Sequence, residues 1–101
     1  MDKRAQTGYW TMQVPVLSTA HITPAIGREL SETLPGEDFY GAACMIGSHG
    51  AMLYCGELDE LPESAPQCVR DVLAWAKGEG FEWVRLDEAG DTIDALPEYA
   101  W

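Results

Sequence analysis

Two histidines, three cysteines and a scatter of carboxylates are the side chains here whose types could do chemistry. His21 and His49 are too few for a multi-histidine metal centre. Cys44, Cys55 and Cys68 with His49 lack the paired C-x-x-C spacing of zinc modules, so neither a metal nor a cofactor is expected. Gly47-Ser48-His49-Gly50 sets a hydroxyl beside an imidazole, but a nucleophilic serine needs a base facing it across space and an oxyanion hole. Neighbours in a tight turn do not face each other, and the segment reads as a turn. Ser18, Thr19 and His21 admit two readings: a small polar site at a strand-to-helix junction, or caps that fix the loop. Asp87, Glu88, Asp91 and Asp94 do not match the spacing of a calcium loop and read as a solvated acidic turn. No nucleophile, base and orienting group stand out together, so the chain is not read as an enzyme.

The elements that must position these residues follow from pattern. A chain of 101 residues, 47% hydrophobic and 23% charged, has the composition of one globular domain. Residues 1–8 are polar and without periodicity, which predicts a loose N-terminal arm before a single domain over residues 9–101. Trp10, Met12, Val14 and Val16 alternate with polar residues and Pro15, the mark of an extended edge segment. Thr23-Pro24 is an N-cap with proline in the first turn, opening a short helix from Pro24 to about Thr33 that Leu34-Pro35-Gly36 ends.

Two apolar runs around Gly47-Ser48-His49-Gly50 predict a hairpin in which Cys44 pairs with Leu53 and Ala42 with Cys55. One face then holds Ala42, Cys44, Ile46, Ala51, Leu53 and Cys55, and the other Phe39, Ala43, Met45, Met52 and Tyr54. Both faces are apolar and both need cover. Phe39, Met45, Met52 and Tyr54 are therefore candidates for a dimer or partner surface. Ser64-Ala65-Pro66-Gln67 matches a capping box before a helix with Cys68, Val69, Val72, Leu73, Trp75 and Ala76 on one face. Phe81–Leu86 and Thr92–Leu96 read as strands, with Gly90 supplying the left-handed turn position. The order β-α-β-β-α-β-β predicts an α+β domain: an antiparallel or mixed sheet with two helices on one face.

Charge carries more content than any small constellation. Asp and Glu number 17 against 6 Lys and Arg, a net −11, and residues 79–101 hold seven acids against Arg85 alone. Glu57, Asp59, Glu60 and Glu63 form one cluster, and Asp87, Glu88, Asp91 and Asp94 another. Solubility alone needs a net charge of about 2 to 8 in a small domain. Direct binding to nucleic acid or to an anionic membrane is excluded as the ordinary reading. A surface of this sign fits a protein partner with a basic, nucleic-acid-binding groove. No apolar run approaches a membrane span or a signal-peptide core, and the odd cysteine count argues for reduced thiols, so a cytoplasmic location is expected.

Leu17-Ser18-Thr19-Ala20-His21-Ile22-Thr23 and the ending Leu96-Pro97-Glu98-Tyr99-Ala100-Trp101 resemble a domain-of-unknown-function family of small acidic proteins from bacterial plasmids, integrative elements and phages. The resemblance runs from about Val16 to Trp101 and implies a mobile-element origin in a bacterial host cell. It brings no catalytic residues. Together with the acidity it gives the functional expectation: a protein-binding inhibitor, of the anti-CRISPR or anti-restriction kind, blocking a nucleic-acid-binding site of a CRISPR effector or restriction enzyme subunit. The alternative is a homodimeric accessory factor of plasmid or phage maintenance without catalytic activity.

Overall fold

Leu17, Leu53, Val84 and Leu86 come from three separate apolar stretches and are all buried. That common face organises the molecule. The computed structural model describes residues 2–4, 10–47 and 49–101. Its strands are β1 (Asp2–Arg4), β2 (Trp10–Met12), β3 (Val16–Ser18), β4 (Cys44–Ile46), β5 (Gly50–Tyr54) and β6 (Trp83–Asp87), and its helices are α1 (Pro24–Ser31) and α2 (Gln67–Gly78). β1 and β2 pair with each other, antiparallel. The other four form a mixed sheet in the order β3-β6-β5-β4, with β3 parallel to β6 and the remaining pairs antiparallel. Leu30 of α1 and Cys68, Val69, Val72, Leu73 and Ala76 of α2 join Leu17, Ala51, Leu53, Val84 and Leu86 in one core. The domain is α+β.

The hairpin pairs Cys44 with Leu53, Met45 with Met52 and Ile46 with Ala51, the register its alternating pattern requires. It is shorter than expected. Ala42 does not reach Cys55; instead Phe39 and Ala42 exchange both backbone hydrogen bonds across Tyr40 and Gly41, whose φ values are 49° and 84°. Two positive φ values in a two-residue loop make a tight type I′ turn, which takes Phe39 off the outward face and buries it in the core.

Four other expectations are corrected. Ser64 and Gln67 form no capping box: α2 begins at Gln67 with Pro66 at the N-cap and no side-chain cap, and the Gln67 amide bonds Asp71 one turn on. The loop before it is held by Arg70, which donates to the carbonyls of Ala65 and Pro62. Thr92–Leu96 is not a strand. β6 already has β3 on one side and β5 on the other, so it has no edge to offer a following hairpin strand. Gly90 does not supply a left-handed turn; a Cβ there would lie 2.4 Å from the Leu17 carbonyl, so glycine is needed for close approach. Within residues 1–8, Asp2–Arg4 is a strand, which the polar composition did not suggest; the rest of that expected arm lies outside the described residues.

The first helix opens as its sequence indicates, with the Thr23 hydroxyl accepting the Ile26 N–H at 3.3 Å and Pro24 in the first turn. The second closes on Gly80, φ 88°, with Phe81 N–H returning to the Ala76 carbonyl at 2.9 Å.

Candidate functional site

Glu57, Asp59, Glu60 and Glu63 are all exposed around a 3-10 turn at Leu58–Glu60, just past the end of β5 where Tyr54 pairs with Trp83. Glu88, Asp91 and Asp94 are exposed beyond the other end of β6, where Asp87 pairs with Gly50. Four residue steps of β6 separate those ends, about 13 Å at the usual strand rise. The fold therefore holds two acidic clusters apart instead of gathering them into one.

Asp87 differs from its neighbours because it is used internally. One carboxylate oxygen accepts the Ala89 N–H at 2.8 Å, and the other accepts from Arg85 at 2.9 and 2.8 Å. The Ala89 bond first, and Arg85 second, hold this carboxyl below its ordinary range. Three of the six basic side chains are occupied as well. Arg70 serves backbone carbonyls, Lys77 donates to the Gly56 carbonyl and lies 3.6 Å from Glu57, and Arg85 holds Asp87. Among the described residues only those last two contacts are ion pairs, so most carboxylates face solvent without a cation of their own.

Between the acidic ends lies the outward sheet face with Val16, Met45, Met52, Tyr54, Trp83 and Arg85. Met45 is 51% exposed and Tyr54 42%, while Met52 is half-buried. Tyr54 packs edge-on against Trp83, ring centroids 5.2 Å apart. Among the described residues the expected cover over Met45 and Tyr54 is therefore incomplete.

The polar junction Ser18-Thr19-Ala20-His21 resolves as structure-fixing. Ser18 Oγ accepts the Ala20 N–H at 3.0 Å. His21 is buried, with Nε2 accepting the Ile93 N–H at 2.9 Å; the proton therefore sits on Nδ1, which donates to the Pro97 carbonyl at 2.8 Å. Tyr99 N–H reaches the Ala20 carbonyl at 2.8 Å and Trp101 Nε1 the Ile22 carbonyl at 3.1 Å. The two end motifs thus zip together, and the Trp101 ring lies on Gly27 of α1, where a Cβ would come within 2.2 Å of it. The tail docks beside the first helix.

This docking walls a cavity of about 460 Å³ that sequence reasoning missed, lined by Arg28, Ser31, Ile46, His49, Glu88 and Trp101 among others. Its one signal in the sequence was the pair of aromatics in a terminal segment. A smaller cavity, about 130 Å³, lies at the opposite end of β4, bounded by Ala43, Tyr54, Glu57, Leu58, Glu60 and Leu73. The cysteines are free thiols; burial pushes Cys55 up to about 11 and raises Cys44, with Asp38 adding to the latter. Among the described residues no three of His, Cys, Asp and Glu come together as a metal-holding group, and no helix is long and apolar enough to cross a membrane.

Residues 14–101 match the model of a family of unknown function, the DUF5983 C-terminal domain. The chain belongs to that family. No curated protein and no solved structure matches it. The matched span of this DUF5983 domain takes in β3, both helices, the four-stranded sheet and the docked tail, so the zipped end motifs lie wholly within it.

Proposed function

We propose that this DUF5983 domain acts by binding a protein at a basic surface which that protein otherwise offers to nucleic acid. The observation that carries the reading is the division of charge among the described residues: Arg70, Lys77 and Arg85 are engaged by carbonyls or carboxylates of the chain itself, while Asp59, Glu60, Glu63, Glu88, Asp91 and Asp94 are exposed, and so is Glu57, with Lys77 at 3.6 Å. Carboxylates arranged in this way repel one another in the free domain and are relieved by a cationic partner, which they also steer toward encounter. In its narrower form the partner is a CRISPR effector or restriction enzyme subunit, a reading supported by size, acidity and the resemblance to mobile-element proteins.

The test immobilises the domain, exposes it to extract of a bacterial host with active defence systems, and elutes with salt or with duplex DNA. Expected is release of the same retained proteins by both, and weaker retention by E57K/D59K/E60K or by E88K/D91K/D94K. Retention that neither salt, nor DNA, nor either triple variant alters would overturn the reading. A second reading, a homodimer through the outward face, is favoured by the exposure of Met45 and Tyr54. Sedimentation of the domain alone across a concentration series decides it.

A further inference from the structure

The two edges of the sheet are treated differently. At the β3 edge the chain closes the strand itself: Ser18 N–H donates to the Asp91 carbonyl at 2.8 Å and Asp91 N–H approaches the Val16 carbonyl at 3.4 Å. At the β4 edge nothing comparable is found among the described residues. Tyr54 N–H bonds the Ala43 carbonyl and Gly47 N–H the Gly50 carbonyl. In an antiparallel pair bonded and non-bonded positions alternate, so Ala43, Met45 and Gly47 turn their backbone groups toward β5. Cys44 and Ile46 turn theirs outward. Open edges are usually blunted by lysine, proline or a bulge, and Cys44-Met45-Ile46 carries no charge and no proline. A cavity lies at each end of this short strand, one beside Ala43 with Glu57 and Glu60 on its rim, the other beside Ile46 with Arg28, Glu88 and Trp101.

We infer that β4 is a docking edge that accepts an extended, lysine- or arginine-bearing segment of a protein partner as an added strand. The inference rests on the charge reading above and names the surface that serves it. The added strand's backbone bonds Cys44 and Ile46, and its side chains enter the two cavities, the usual division between affinity and specificity in strand addition. Charge selects the occupant. A second copy of this chain would bring another −11 against the first, whereas a basic segment places its cations beside Glu57 and Glu60, the cavity at the Ile46 end holding Arg28 as well as Glu88.

The probe is a fluorescent peptide of alternating lysine and valine, compared with the same peptide N-methylated on every second residue so that one backbone edge cannot bond. Binding is read by anisotropy, and the backbone contact by hydrogen exchange at the Cys44 and Ile46 amides. Expected are slowed exchange at both amides with the plain peptide and binding weaker by roughly tenfold or more with the methylated one. Ile46→Pro removes an outward N–H and leaves the bonds to β5 intact, so it should abolish docking with the melting temperature nearly kept. Ile46→Lys, a gatekeeping charge at the same place, should do the same should the proline disturb the fold. If both variants bind as wild type and the amides stay unprotected, while E57K/D59K/E60K loses binding, the edge is wrong and the charge reading stands. Protection of the two amides that salt does not weaken would overturn the charge reading instead. Concentration-dependent protection in the domain alone would give the edge to a second copy and overturn the stated occupant.

Discussion

Replacing His21 with alanine would remove the acceptor of the Ile93 N–H and the donor to the Pro97 carbonyl, and would leave a cavity in a fully buried position. A loss of about 2–4 kcal/mol is expected, read by urea denaturation. Because the same ring holds the tail, exchange of the Tyr99 N–H, which bonds the Ala20 carbonyl, should speed up before the rest of the domain unfolds. Asp87 supplies a pH dependence. Its folded carboxyl lies below the ordinary value, so its contribution is complete above the unfolded pKa of about 3.9 and is lost as pH falls through the lower folded value. Asp87→Asn should therefore be less stable than wild type near neutrality, with the gap closing on acidification; equal gaps at all pH would assign the effect to packing. The histidine was visible in the sequence only as part of a polar junction. Its partners lie 72 and 76 residues away, and local spacing holds no information about contacts of that range.

Helix starts make a sharper comparison, since two of them were read by the same rule with opposite results. Thr23 caps α1 as its spacing implies, because Pro24 fixes the first turn around it. Ser64 occupies a similar position before an apolar face, yet Pro66 breaks the run, and the Ala65 N–H closes a turn on the Pro62 carbonyl at 2.9 Å. The helix begins beyond the reach of the Ser64 hydroxyl, and Arg70 takes over the anchoring. Ser64→Ala should consequently change stability by less than about 0.5 kcal/mol, while Arg70→Ala should cost about 1.5–3 kcal/mol. The reverse ranking would restore the capping box. Hairpin register was legible because a slip by one residue would expose Ala51 and Leu53. The missing strand at Thr92–Leu96 was not, since whether a segment pairs depends on whether its neighbour's edge is still free. Of the candidate surfaces, the acidic clusters could be read from composition; the open β4 edge could not, because it is defined by what fails to pair with it.

Taken whole, the molecule has a net charge of −11, with two ion pairs among the described residues. Self-repulsion should make it more stable as salt rises from low ionic strength to about 0.15 M, where exposed charges more than about 8 Å apart are screened; a melting temperature that falls over that range would contradict this. The same global view bears on the parallel pairing of β3 with β6. β4, β5, α2 and β6 follow one another in the chain, whereas β3 must reach β6 across everything that lies between them in sequence. Closing so long a loop costs entropy before any contact rewards it. In kinetic language, the parallel strand should join after the rate-limiting barrier. Leu17→Ala would then speed unfolding and leave the refolding rate almost unchanged, and Val72→Ala would slow refolding, a contrast that stopped-flow measurements resolve directly.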